Sequence, residues 1–217
     1  MDKQTSPYPF RNAKERVLDR AAKREAVLLA AVRMFNQNGF HTTSLDDVAA
    51  ALGISKPLIY HYLGAKDHVL FECLRIGLLS LNASATEAAA LEGSGLDRLK
   101  MFLRRYGESV MHDFGRCVIR TGDEVLTPDN RTKFRALKQE IDQALRRFMQ
   151  DAADDGSAMI SDVKMTSFAF VGALNWTARW QEPDGEMSPN MIAARMVDIL
   201  IKGIEPRPSV PAHTNDT

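Results

Sequence analysis

Apolar side chains in this chain recur at spacings of three and four residues and almost nowhere alternate. That period belongs to helices, whereas a half-buried strand needs a period of two. An all-α chain is expected, divided by its helix stop signals. Ala21 to Gln37 carries Val27, Ala31 and Phe35 on one face, with Leu28 and Val32 beside them. Asn38-Gly39 ends it, because glycine takes the left-handed conformation past a helix end at little cost. Ser44-x-x-Asp47 reads as a capping box with Asp in place of Glu; Thr43 is a second candidate cap. It opens a brief helix, Leu45 to Leu52, that Gly53 stops. Ser55 can cap a third helix, with Pro57 in its first turn, ending near Tyr62-Leu63-Gly64. Further helices are expected from Lys66 to about Ala90, over Leu96–His112, and briefly over Arg116–Arg120. A long one opens at Thr127-Pro128 and closes near Ala153. Another, capped by Ser161, spans Asp162–Trp180, and the last runs from Ser188-Pro189 to about Gly203.

Of the 217 residues 45% are hydrophobic and 26% charged, which supplies a core and argues against wholesale disorder. No apolar run approaches the roughly 18–20 residues of a membrane span, so no membrane partner is expected. Met1–Arg24 lacks the apolar centre of a signal peptide. Cys73 and Cys117 are too few for a disulfide scaffold and point to a reducing cytoplasm. The expected organisation is a flexible arm (1–20), a compact three-helix domain (21–66), a helical body (67–205) and a flexible tail (206–217). Formal net charge is zero, but Met1–Lys66 holds ten basic and six acidic residues, and the remainder is acidic by the same margin. A basic front on an acidic body places any polyanion at the front.

Three short helices joined by glycine-bearing turns describe a helix-turn-helix unit. Ala49 is small enough for close helix approach, Gly53 makes the turn, and Ile54 plugs the gap. Val48, Leu52, Leu58 or Ile59, and Tyr62 can meet Phe35 and Val32. A recognition helix presents its N-terminal residues to base edges in the major groove. Lys56, Pro57, Leu58 and Tyr60 fit that role: lysine donates to guanine, and proline or a tyrosine ring packs on a thymine methyl. Thr42, Thr43, His61, Tyr62 and Lys66 suit phosphate oxygens, and the caps Ser44 and Ser55 complete the DNA-facing set.

The stretch Arg24–Leu70 resembles the DNA-binding domain of the TetR/AcrR family of transcriptional regulators. The resemblance rests on Ala31, Phe35, Gly39, Phe40, Thr43, Leu45, Val48, Ala49, Gly53, Ile54, Ser55, Ile59-Tyr60-His61-Tyr62, Lys66 and Val69-Leu70. Leu63 departs from the pattern, where the family more often has an aromatic residue. The resemblance implies a homodimer on a palindromic operator, usually repressing, with a small molecule in the C-terminal domain lowering DNA affinity.

The helix Asp162–Trp180 is apolar nearly all round, so it needs cover on two sides. One cover is its own core and the other a second subunit, with the broad last helix, Met191–Ile204, completing a four-helix interface. Candidate walls for an effector pocket are Leu74, Leu78, Met101, Tyr106, Met111, Phe114, Phe134, Leu137, Met165, Phe168 and Trp176, though the same stripes can be plain core. Asn175–Trp180, followed by Pro183-Asp184-Gly185 and Ser188-Pro189, resembles TetR-family regulators of fatty-acid and sterol catabolism, some of which answer to acyl-CoA thioesters. Arg179, Arg104 or Arg105 would meet phosphates or a carboxylate of such a ligand. Other hydrophobic effectors fit the same residues.

An enzyme is not expected: the sequence has no phosphate-cradling glycine loop, no G-x-S-x-G, and no metal-ligand cluster. No cofactor and no metal are expected. His112-Asp113 near Cys117 has the residue types of a nucleophile and base, but sequence proximity does not orient them. Two alternatives remain open: a redox-sensing regulator using Cys73 and Cys117, and a DNA-binding protein without a small-molecule effector.

Overall fold

The computed structural model describes residues 13–204, with side chains from Arg20 onward. It contains nine α-helices and one 3-10 turn, and no strand among the described residues. The helices are α1 (Ala13–Asn38), α2 (Leu45–Ala51), α3 (Lys56–Leu63), α4 (Lys66–Ala89), α5 (Gly95–Met111), α6 (Asp113–Arg120), α7 (Pro128–Asp154), α8 (Val163–Trp180) and α9 (Pro189–Lys202), with the 3-10 turn at Asp123–Val125. The all-α expectation is met, and most boundaries fall within a residue or two. The start of α1 is a correction. It begins at Ala13, so residues 13–20 of the expected flexible arm are helical. No glycine or proline interrupts that run of good helix formers. Residues 1–12 and the expected tail, 206–217, lie outside the described residues.

Two compact units divide the chain, one ending at Cys73 and the other beginning at Leu74, rather than at Lys66. The shift follows from burial: Val69, Leu70, Phe71 and Cys73 all leave solvent. The Cys73 thiol donates to the Leu28 carbonyl at 3.7 Å, and Arg24 pairs with Glu72 at 2.7 Å. The first two turns of α4 therefore complete the N-terminal unit.

Within that unit, Gly39 takes φ +86° and its N–H closes on the Phe35 carbonyl. Gly53, at φ +64°, turns the chain between α2 and α3, a conformation that costs other residues about 1–2 kcal/mol. The inward face of α3 is Ile59 and Leu63, one turn apart and both buried. Tyr62, expected inside, is only half-buried. Leu63 does the job assigned to it, because four residues on from Ile59 returns to the same face.

In the C-terminal unit α5 is central and packs on α6, α7, α8 and α9. Its Leu99, Phe102, Leu103 and Val110 are fully buried. At Gly95 an added Cβ would sit 2.4 Å from the Ala152 backbone nitrogen, so only glycine lets α5 begin so close to α7. The N-cap of α8 is Asp162 rather than Ser161; its carboxylate accepts from the Met165 N–H at 2.9 Å. One face of α8 is buried through Phe170, Leu174 and Ala178, while Met165, Phe168, Trp176 and Trp180 remain exposed. On α9 Met191 and Ile199 are exposed likewise. Helix α4 reaches the length and mean hydropathy of a membrane span although Glu72 and Arg75 interrupt it, and over half of that stretch is buried inside the protein, as in a core helix.

Candidate nucleic-acid interface and effector cavity

The surface around α3 is set by local capping. Ser44 closes a reciprocal box with Asp47: the Asp47 N–H donates to Ser44 Oγ at 3.1 Å, and the Ser44 N–H donates to Asp47 Oδ2 at 2.8 Å. The hydrogen bonds from the Ser44 side chain and backbone hold the Asp47 carboxyl below the usual carboxylate range. Ser55 is the N-cap of α3, yet its hydroxyl makes no capping bond and stays exposed. Lys56, Pro57, Leu58, Tyr60 and His61 are all exposed, and Tyr60 at 51% is more open than Leu58 at 37%. The rings of His61 and Tyr62 meet edge-on at 5.6 Å.

Three expected contact residues are placed differently from their sequence reading. Thr43 is buried, and its hydroxyl donates to the Gly39 and Met34 carbonyls, because it locks the α1–α2 turn. Its side chain is thereby withdrawn from any phosphate. Thr42 is exposed, with its hydroxyl turned back on the Asn38 and Gly39 carbonyls. Lys66 is half-buried, its ammonium 4.3 Å from the Phe40 ring centroid and 3.4 Å from the His41 carbonyl, which it staples to the start of α4. Lys56 is exposed but engaged: its ammonium donates to Asp46 Oδ2 on α2, and that carboxylate raises the Lys56 pKa.

The C-terminal unit encloses a cavity of about 700 Å³. Leu78, Leu81, Phe102, Phe134, Ile141 and Leu145 give it apolar walls, and Phe168 and Val171 of α8 form another side. The strap Thr121–Glu124 borders it. Arg131 fixes that strap by donating to the carbonyls of Asp123, Glu124 and Leu126 at 2.9–3.0 Å. Arg135 pairs with Asp123 at 2.6 Å and holds its carboxyl below the usual range. Arg120, Lys138 and Arg179 also line the cavity, and none forms a close ion pair among the described residues; Lys138 lies over the Phe134 ring at 5.5 Å and is near enough to Asp123 to help hold that carboxyl low. Asp142 of the lining is paired with Arg146 at 2.8 Å. Tyr106 and Asn175 supply its buried polar point: the phenol donates to Asn175 Oδ1 at 2.7 Å.

Of the expected pocket residues, Leu78, Tyr106, Phe134, Phe168 and Arg179 line this cavity, and the others do not. Leu74 is fully buried in the core. Met111 packs instead with Ile192, Ala193, Met187 and Met196 beneath α9. Met101, Phe114 and Leu137 are half-buried away from the cavity. Met165 and Trp176 face outward from α8, at 53% and 63% exposure. Arg105 lies between Glu87 and Glu108, and Arg104 pairs with Asp198 at 2.8 Å, so neither arginine faces the cavity. The sequence reading missed Arg120, Lys138 and Asn175. Lys138 is one helical turn beyond Phe134, the only signal that placed it on the same side.

No group of three or more His, Cys, Asp or Glu able to hold a metal occurs among the described residues. Cys73 and Cys117 are buried and neither forms a disulfide, and burial pushes the Cys117 thiol up to about 11. A thiol so far from its thiolate is a poor redox sensor.

A capped three-helix front carrying an exposed, basic-ended α3, beside a separate helical unit with its own cavity, defines a helix-turn-helix regulator. Residues 27–73 match the family model for bacterial regulatory proteins of the tetR family, and residues 92–204 match that for the tetracyclin repressor-like C-terminal domain. The chain belongs to the TetR family of DNA-binding transcriptional regulators. It is 27% identical over 193 residues to the HTH-type transcriptional repressor KstR2 of Rhodococcus jostii, covering 85% of this chain and 92% of that one. Among solved structures it resembles the TetR family regulator PfmR of Thermus thermophilus, with TM-score 0.75 and 29% identity over 83% of this chain and 99% of that one. The ketosteroid transcriptional regulator KstR2 of Mycobacterium tuberculosis shares the fold at TM-score 0.79 and 19% identity, over 85% and 96% of the two chains. AibR, solved with isovaleryl coenzyme A and operator DNA, shares it at TM-score 0.72 and 24% identity, over 82% and 97%.

Proposed function

We propose that this repressor acts in the cytoplasm as a homodimer on a palindromic operator and is released by an amphiphilic anion, an acyl-CoA thioester being the class that fits best. Residues 21–66, with the first turns of α4, form the DNA-binding domain, and the helical body binds the effector and dimerises. Lys56, Pro57, Leu58 and Tyr60 read bases. Thr42, Ser44, Ser55, His61, Tyr62 and Lys66 face the phosphates, and Thr43 holds the turn that presents them. The exposed apolar stripes of α8 and α9 pair with those of a second copy. Two copies of α3 about 34–36 Å apart then reach successive major grooves. Effector occupancy lowers operator affinity through α4, which contributes turns to both units.

The observation that carries the effector reading is the lining of the cavity. Its walls are aliphatic and aromatic, while Arg120, Lys138 and Arg179 bring three cations that form no close ion pair among the described residues, and two of the lining carboxylates, Asp123 and Asp142, are already paired with Arg135 and Arg146. An apolar ligand alone would leave those charges facing it, whereas phosphates or a carboxylate would neutralise them. AibR provides a precedent for a coenzyme A thioester and operator DNA on this fold. The test is selection of bound sequences from a random duplex library by the full-length protein, followed by displacement with decanoyl-CoA. A palindrome with half-sites about one turn apart, and loss of operator binding as decanoyl-CoA is added, are the expected results. Absence of enrichment over random DNA at moderate salt, with and without the thioester, would overturn the reading.

A further inference from the structure

The cavity lining carries a part-buried hydrogen bond with an unfinished donor inventory. Tyr106 is buried on α5, beside Phe102 at 5.9 Å between ring centroids. Burial drives its phenol far above the ordinary range, so it is a neutral O–H at any working pH. That O–H donates to Asn175 Oδ1 on α8 at 2.7 Å. An asparagine amide has one oxygen and two N–H donors. With the oxygen engaged by Tyr106, the amide is fixed in one orientation and its nitrogen is turned away from the phenol. The nitrogen has no acceptor among the described residues and is not sealed from solvent. Tyr106 and Asn175 both line the cavity, among the apolar side chains of Phe102, Phe134 and Leu145.

We infer that Asn175 is a specificity-determining residue of the effector site, donating from Nδ2 to a carbonyl oxygen of the ligand, with Tyr106 as the positioning residue that fixes the amide. The inference rests on the effector reading above and adds a requirement to it. The cations meet the ligand's charge, whereas Asn175 asks for an uncharged acceptor among the apolar side chains of the lining. A thioester carbonyl satisfies that demand. A ligand without an acceptor there displaces water from the amide N–H and offers it no partner in return, and sites built around such a donor reject the analogue that lacks the acceptor.

The test is calorimetric titration of the full-length protein with hexanoyl-, decanoyl- and hexadecanoyl-CoA. The tightest of these is then compared with its S-alkyl-CoA thioether, which keeps chain and phosphates but lacks the carbonyl. Wild type is expected to prefer the thioester by about tenfold or more. Asn175→Leu should bring the two ligands within about twofold by weakening only the thioester. Tyr106→Phe, which leaves the amide free to turn, should reduce the preference while holding thioether affinity. Circular dichroism and melting temperature confirm that each variant is folded. Equal wild-type affinity for thioester and thioether would overturn the role of Asn175 and leave the effector reading standing. Equal weakening of both ligands by Asn175→Leu would overturn it too, since that marks a structural residue. Binding of none of the thioesters would overturn the effector reading and the carbonyl requirement together.

Discussion

The two units treat their polar side chains in opposite ways. Around α3 they are tied to neighbours: Thr43 to the Gly39 carbonyl, Ser44 to Asp47, Lys56 to Asp46, and Lys66 to the Phe40 ring. Around the cavity the side chains of Arg120, Lys138 and Arg179 form no close ion pair, and the Asn175 amide N–H₂ has no acceptor, among the described residues. A surface whose groups are already ordered loses little entropy when it docks, which suits recognition of a rigid duplex. A cavity with unmatched donors and charges is instead completed by its ligand, which suits a switch, because occupancy changes the energy of the unit that encloses it.

The largest expected effect lies outside both sites. Ile199→Glu places a carboxylate on the apolar stripe of α9, where a second copy is proposed to pack. Loss of the dimer removes bivalent attachment and should weaken operator binding by on the order of a hundredfold or more. Sedimentation equilibrium together with DNA titration checks this, and an intact dimer would move the interface elsewhere. Next comes a contrast between the two units. Ile59→Ala, at a fully buried position, should cost about 2–5 kcal/mol of stability. Phe168→Ala, half-exposed on the cavity wall, should stay within about 0.5 kcal/mol and alter effector affinity instead. Denaturant melts of the two variants would break the contrast if the costs came out alike. Tyr60→Ala should weaken operator binding by about 1–3 kcal/mol with an unchanged melting temperature. An unchanged affinity would remove Tyr60 from the base-reading set.

The smallest effect is on pH dependence. Asp47 in the first unit and Asp97 and Asp155 in the second are held below the usual carboxylate range, chiefly by hydrogen bonds from Ser44, Ser94 and Ser157 respectively. A depressed folded-state pKa contributes stability that is full above the unfolded value, about 3.9. It is lost as pH falls through the folded value. Melting temperature should therefore hold steady down to about pH 4–5 and decline below it. Asp155→Asn should flatten part of that decline, and an unchanged profile would show that its bonds to Gly95 and Ser157 add nothing.

Legibility in the sequence follows the same division. The α2–α3 unit could be read because its signals are local: a capping box, a glycine turn and a first-turn proline lie within about a dozen residues. Even there, the sequence puts Tyr62 on the inward face where the structure has Leu63, since on a helix of two turns adjacent apolar residues fit the core pattern almost equally. The cavity could not be read in the same way. Its walls come from α4, α5, α6, α7 and α8, and which apolar stripe turns toward the others depends on packing that no single segment encodes. Trp176 and Met165 carry the hydrophobicity of a pocket wall yet face outward, because Phe170 and Leu174 claim the buried face of α8. Asn175 opens the Asn175–Trp180 segment whose resemblance points to this end of the chain, but nothing there marks it as a cavity residue, since a polar residue is equally a surface residue until Tyr106 is known to reach it.

A regulator present in few copies must find one site among roughly 10⁶–10⁹ competitors on a genome. Lys56, tied to Asp46, meets random DNA as half of a neutral pair and adds little to the counterion release that makes a protein linger on any duplex. At the operator a guanine edge can replace the carboxylate as the partner of the ammonium. If Lys56 reads a base as proposed, the carboxylate shortens the stay on random DNA and also lowers the final affinity by what it costs to part the pair.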